Sequence, residues 1–197
     1  MKGSGSICSA VLLAVSFCTV ASAAERPVDV DKSTIRIHVM KAGLFSAAGH
    51  EHWVTAPIAQ GSLDEGEPSR VAFTVSANRL TVEPDTSLSA DDQAKVQRTM
   101  QEKVLESETY PQIGFRSTSV TKTGDGSWTI SGVLNLHGHS NPVSAAVHKV
   151  QDKYVGRCRI KQTDFGIQPV NAGGGLVKVK NELEIEFTVE DSGSAAD

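Results

Sequence analysis

Residues 131–142 read SGVLNLHGHSNP, and Val143 follows directly. The first half of this stretch alternates between apolar and polar side chains, which places Leu134 and Leu136 on one face of a predicted strand. A turn signal follows at residues 139–142, and the alternation resumes at Val143. Two alternating segments joined by a short polar turn predict an antiparallel β-hairpin.

The same alternation recurs along most of the chain and predicts further strands. Strands without intervening helices argue for a closed barrel or a sandwich, and against a layered arrangement of parallel strands and helices. The apolar residues that would converge on one interior are Ile35, Ile37, Val39, Val71, Phe73, Val75, Phe115, Ile130, Leu134, Leu136, Val147, Ile185 and Phe187. Their spacing leaves open whether they fill a solid core or line a hollow interior.

Residues 90–106 are the exception, because their apolar side chains recur at helical spacing. Val96, Met100 and Val104 lie four residues apart, which gives a helix one apolar stripe. Ser89 can cap the N-terminus of this helix, and Asp92 lies in the first turn, where the helix dipole favours negative charge. We therefore expect one helix inserted between strands, packed against the sheet or covering one of its ends.

The first 24 residues predict a secretory signal peptide. Residues 10–21 form a short apolar run, and an Ala-Ser-Ala cleavage signal ends at Ala23. The run is too short to span a membrane, so we expect cleavage near Ala23 or Ala24 and a periplasmic or secreted product. The expected boundaries are 1–24 for the signal peptide, 25–191 for a single folded domain and 192–197 for a disordered polar tail.

Charge and cysteine content exclude two classes of protein. The net charge of −4 at pH 7, with basic residues scattered along the chain, excludes a nucleic-acid-binding surface. Cys158 is the only cysteine beyond the predicted signal peptide, so a scaffold held by internal disulfides is excluded as well. Its place on the apolar face of an alternating segment predicts a buried, unreactive thiol.

Four histidines form two pairs with one intervening residue, His50 with His52 and His137 with His139. In a strand, both members of such a pair project from one face, with Cα atoms about 6.6–6.8 Å apart. If the two pairs faced each other, the four imidazoles could bind Zn²⁺ or Cu²⁺. The alternative is that these side chains cap strand ends and form hydrogen bonds with nearby backbone groups.

The sequence contains no recognisable catalytic motif. The glycines at residues 173–175 lack the Lys and Ser or Thr that complete a phosphate-binding loop. A Gly-x-Ser-x-Gly nucleophile elbow is absent as well. We therefore expect no catalytic residues.

Several motifs along the chain resemble those of the YceI family of exported lipid-binding proteins. They are VDKS at residues 30–33, Gly-His at 49–50, ETYPQIGFRS at 108–117, the GVLNLHG run with the following Pro-Val at 132–143, and TDFGI at 163–167. Their order along the chain is also that of the family, and together they extend over nearly the whole predicted domain.

This resemblance implies a lipocalin-like, up-and-down antiparallel β-barrel of about eight strands, with the helix near residues 90–106 inserted. It also implies an elongated apolar tunnel for a polyisoprenoid chain such as a quinone tail, a possible homodimer, and no enzymatic activity. Under this interpretation the thirteen interior residues bind the lipid, and no further cofactor is required. The competing hypothesis is a periplasmic metal-binding protein with a filled core that uses His50, His52, His137 and His139.

Overall fold

The computed structural model describes residues 25–42, 51–64, 66, 69–172 and 177–193. The predicted signal peptide, His50 and the last four residues of the predicted tail lie outside this part of the chain. The strands are β1 (Arg26–Pro27), β2 (Thr34–Val39), β3 (Lys41–Ala42), β4 (His52–Ala56), β5 (Ile58–Asp64), β6 (Arg70–Ser76), β7 (Thr81–Val82), β8 (Gln112–Gly124), β9 (Ser127–Leu136), β10 (His139–Val150), β11 (Lys153–Lys161), β12 (Asn171–Ala172), β13 (Val177–Val179) and β14 (Glu182–Glu190). The helix α1 (Ala90–Thr99) continues as a π-helical turn, Met100–Val104, and short 3-10 helices span Ala77–Arg79 and Gln162–Phe165.

Eight principal strands form an antiparallel barrel when β4 and β5 are counted as one strand, because each of the eight pairs with two others. The pairs are β2–β4, β5–β6, β6–β8, β8–β9, β9–β10, β10–β11, β11–β14 and β14–β2. β4 and β5 are two halves of one strand, interrupted by Pro57, which has no N–H to donate to a neighbouring strand. This strand closes the barrel, since its first half pairs with β2 and its second half with β6. The predicted up-and-down barrel of about eight strands is confirmed.

The two ends of the barrel are built differently. At one end, here called the turn end, short connections at residues 125–126 and 151–152 join neighbouring strands. At the other end, here called the helix end, the connection between β6 and β8 carries α1, and β3, β12 and β13 form a small separate sheet. No helix in the described part of the chain is long and apolar enough to span a membrane.

Hydrogen bonds rather than deep burial hold α1 at the helix end. Ser89 Oγ accepts a hydrogen bond from the Asp92 N–H at 3.2 Å, which caps the helix as predicted. Gln97 Oε1 accepts from the Val82 N–H at 2.8 Å, and Gln97 Nε2 donates to Leu80 O at 2.9 Å. No residue of α1 is fully buried. The helical segment ends two residues earlier than predicted.

The hairpin between β9 and β10 has a tighter turn than the sequence predicts. The turn consists of His137 and Gly138 alone, whose φ angles of 53° and 74° both lie in the left-handed region. The turn predicted at residues 139–142 is wrong, because these residues continue β10, where Asn141 pairs with Leu134. A two-residue turn of this kind matches the twist of the flanking strands, and histidine tolerates a positive φ better than most residues.

An ion pair joins the segment before α1 to the outer face of the barrel. Arg36 on β2 donates from Nε to Glu83 Oε1 at 2.7 Å and from Nη2 to Glu83 Oε2 at 2.6 Å. Thr55 Oγ1 also donates to Glu83 Oε1 at 2.9 Å. These contacts, of which the hydrogen bond from Arg36 is the strongest, lower the pKa of Glu83 below its ordinary value of 4.5.

The Glu83→Gln substitution is expected to remove a small, pH-dependent part of the stability. Because the pKa of Glu83 is lower in the folded state than in the unfolded state, the carboxylate stabilises the fold at neutral pH. This contribution is lost as the pH falls below 4.5 and through the folded-state pKa. The cost at neutral pH should be about 0.5 kcal/mol, since both partners are partly exposed to solvent.

Urea unfolding at neutral pH and in acid measures both effects. Glu102→Gln, a change at an exposed carboxylate of the same connection, is the matched control. If both substitutions lower the free energy of unfolding equally at neutral pH, the ion pair does not contribute to stability.

Candidate functional site

The barrel encloses a cavity of about 980 Å³ that extends from the helix end to the turn end. Val96 and Met100 of the helical segment line it at the helix end, and Gly126 and Trp128 line it at the turn end. Ligand sites typically measure about 300–1,000 Å³, and eight-stranded barrels are either filled by side chains or hold one ligand. The barrel is hollow, so the filled-core alternative is wrong.

The wall of this cavity is mostly apolar. All thirteen residues predicted to share one interior face line it. Their contact with a lipid stays a prediction. Val54, Ala56 and Ile58 also line the cavity, although they are not predicted from the sequence. These three residues lie two positions apart, as residues on one face of a strand do. Pro57 breaks the alternation of apolar and polar residues, so the pattern does not predict a strand there.

Two phenylalanine rings lie against glycines of neighbouring strands and so leave the lumen open. Phe115 covers Gly132 on β9, where an added Cβ atom would lie 2.5 Å from Phe115 Cζ. Phe187 covers Gly156 on the paired strand β11 in the same way. An added Cβ atom at Gly156 would also lie 2.8 Å from Ala146 O. Glycine at these positions therefore gives each ring room against the wall.

Polar side chains line the cavity mainly near its two ends. Those at the helix end are His52, Asp92, Lys95, Thr99, Gln162 and Lys178. Those at the turn end are Asp64, Ser69, Arg70, Lys149 and Tyr154. An apolar lumen with polar groups at its ends suits an elongated apolar molecule that has a polar head.

Cys158 is a free thiol on the cavity wall. Burial raises the pKa of this thiol from 9.0 to about 11, so it stays protonated at neutral pH. A protonated thiol is a poor nucleophile, which agrees with the unreactive side chain predicted from the sequence.

Three of the four paired histidines lie in the described part of the chain, and His52 is separate from the other two. His52 lines the cavity at the helix end. His137 and His139 lie at the β9–β10 turn, with ring centroids 6.5 Å apart, and the His137 ring packs against Tyr110 at 4.2 Å between centroids. The described residues contain no group of three or more His, Cys, Asp or Glu side chains placed to hold a metal ion. Since His50 lies outside them, the four-histidine site stays a prediction.

The sequence of the chain is similar to one described family and to several curated proteins. A family model described as a YceI-like domain matches residues 27–191. A UPF0312 protein of Vibrio cholerae is 27% identical over 133 residues, which cover 62% of this chain and 69% of that protein. A UPF0312 protein of Shewanella denitrificans is 29% identical over 133 residues, with the same two coverages.

Two solved structures share the fold. BcnA of Burkholderia cenocepacia aligns with a TM-score of 0.55 at 18% identity, covering 82% of this chain and 98% of that one. A polyisoprenoid binding domain from Saccharophagus degradans, implicated in plant cell wall breakdown, aligns with a TM-score of 0.57 at 11% identity. That alignment covers 85% of this chain and 98% of the domain. At these identities the likeness shows the fold alone.

Proposed function

The chain belongs to the YceI-like domain family, and on that premise we propose that it is an exported lipid-binding protein. Its ligand is a polyisoprenoid or isoprenoid-quinone chain held in the lumen of the barrel. The observation that carries this proposal is the apolar cavity that extends from one end of the barrel to the other. The polyisoprenoid binding domain from S. degradans has the same fold, which supports the same class of ligand.

The volume of the cavity fits a long hydrocarbon chain. At about 980 Å³ it lies at the upper end of the range of about 300–1,000 Å³ that ligand sites occupy. Each methylene moved from water into apolar surroundings contributes about 0.8 kcal/mol. The chain of the lipid therefore supplies the binding energy, and the polar ends of the cavity are left to orient it.

The proposal also includes export of the protein and binding of the lipid without a chemical reaction. The signal peptide predicted at residues 1–24 would deliver the protein to the periplasm or the exterior. The protonated Cys158 thiol is not suited to attack a bound lipid. The lipid is therefore proposed to be bound and released unchanged, and a homodimer stays a prediction.

Protein purified from the exported fraction of its own host is expected to carry one isoprenoid lipid per barrel. Organic extraction followed by mass spectrometry identifies the lipid. The intact mass of the protein shows whether the chain begins after Ala23 or Ala24. An unrelated exported protein purified in the same way gives the background of adventitious lipid. Phospholipid at that background and no isoprenoid would refute the proposed function.

A further inference from the structure

Gln162 is the one polar side chain in the described part of the chain that is both buried and on the cavity wall. Only 4% of its surface is exposed. It begins the 3-10 helix Gln162–Phe165 at the helix end, and Ile160 and Ile167, on either side of it along the chain, also line the cavity. A neutral amide therefore borders an apolar part of the lumen.

The hydrogen bonds of Gln162 leave one side of its amide unused. Its backbone N–H donates to Asn181 O at 2.9 Å, and its backbone O accepts from the Ile167 N–H at 3.1 Å. Its side-chain Nε2 donates to Lys180 O at 2.8 Å. Among the residues that the structure describes, none donates a hydrogen bond to Gln162 Oε1. A ligand hydroxyl that reaches this oxygen would give it the hydrogen-bond donor that those residues do not supply.

The charged side chains at the same end are poorly placed to recognise an anionic head group. Lys95 and Lys178 line the cavity there but are exposed to solvent, and the carboxylate of Asp92 lines it with them. Exposed ammonium groups contribute little, because water screens their charge. A charged head group brought into the apolar lumen would also lose its hydration. The buried recognition group at this end is therefore neutral.

We propose that Gln162 orients the bound isoprenoid by accepting, at Oε1, a hydrogen bond from a neutral hydroxyl head group. The ligand is then a prenol, a phenol or a quinol, with its head at the helix end and its chain directed toward the turn end. This inference rests on the proposed function, because it assigns a polar end to the same cavity.

The test compares geranylgeraniol with the hydrocarbon that carries hydrogen in place of its hydroxyl group. Displacement of a fluorescent naphthylamine probe gives both dissociation constants, and their ratio separates the head-group contact from the chain. The Gln162→Met substitution keeps the length of the side chain. It is expected to lower the ratio of the hydrocarbon dissociation constant to the alcohol dissociation constant about fivefold relative to the wild type. Leu183→Met, a change on the apolar wall at the same end, is the matched control and should leave the ratio unchanged.

The outcomes separate this inference from the proposed function. An unchanged ratio in Gln162→Met would overturn the role of Gln162 while lipid binding itself stands. Failure of the wild type to bind either ligand would overturn the proposed function. Geranylgeranyl phosphate is expected to bind more weakly than the alcohol, and tighter binding of the phosphate would overturn a neutral head group.

A second measurement avoids the variant, because Gln162→Met also loses the hydrogen bond to Lys180 and can impair folding. A crystal structure of the wild-type protein with geranylgeraniol should place the hydroxyl within hydrogen-bond distance of Gln162 Oε1. A hydroxyl found instead at the turn end, near Arg70 and Lys149, would overturn the inference.

Discussion

The Ala145→Phe substitution is expected to weaken the binding of isoprenoid lipid strongly without unfolding the barrel. Ala145 lines the cavity on β10, where it pairs with Ile130 of β9, so a phenyl ring there occupies lumen that the lipid chain needs. Loss of about four methylene contacts costs about 3 kcal/mol, which weakens binding by roughly a hundredfold or more. Displacement of the fluorescent probe by geranylgeraniol measures the change.

The same substitution distinguishes an open lumen from a packed core by its effect on the free energy of unfolding. An added ring in a packed core costs about 1–3 kcal/mol through overpacking, whereas in an open lumen the free energy of unfolding should change by less than about 1 kcal/mol. Ala146→Phe is the matched control, because Ala146 is exposed on the same strand. This control should bind lipid like the wild type. Equal lipid binding by the two variants would exclude the lumen as the binding site.

Gly156→Ala is expected to lower the free energy of unfolding by about 2 kcal/mol, since it overpacks the barrel wall. An added Cβ atom would lie 2.8 Å from Ala146 O, which belongs to the backbone, and would collide with the Phe187 ring. The ring would then have to leave the wall and enter the lumen, so lipid binding should weaken as well. Chemical denaturation and displacement of the fluorescent probe measure the two effects.

Gly114→Ala is the control for this substitution within the same barrel. The nearest atom to a Cβ there is Phe73 O at 3.9 Å, an ordinary contact, so the free energy of unfolding should change by less than about 0.5 kcal/mol. Adding Phe187→Leu to Gly156→Ala should recover part of the lost stability, because a smaller side chain leaves room for the methyl group. If Gly156→Ala and Gly114→Ala lower the free energy of unfolding by similar amounts, the contact between the Phe187 ring and Gly156 does not contribute to the barrel wall.

The interior face of the barrel can be predicted from the sequence, because burial in a strand repeats every second residue. Ile35 and Ile37 on β2 show this period without interruption, as do Leu134 and Leu136 on β9, and all four line the cavity. The turn between β9 and β10 cannot be placed in this way. His-Gly lacks the Asn or Asp that usually marks a two-residue turn, so the sequence signal falls on the polar residues after it.

Two features of the site depend on contacts between strands, which no local pattern contains. The rings of Phe115 and Phe187 rest against glycines on neighbouring strands, which keeps both rings close to the barrel wall. Nothing in the local sequence marks Gln162 as a site residue. It directly follows β11, a strand in which basic residues alternate with uncharged ones. Its burial arises only when the backbone at Lys180 packs against it and accepts its hydrogen bond.

The pairing of β14 with β2 joins the two ends of the domain and determines when it can fold. Ile35 pairs with Phe187 and Ile37 with Ile185, at separations of about 150 residues along the chain. Contacts between such distant residues form slowly, and until β14 arrives β2 presents an unpaired edge that another chain can join. The barrel can close only once β14 is present, because β14 alone bridges β11 and β2.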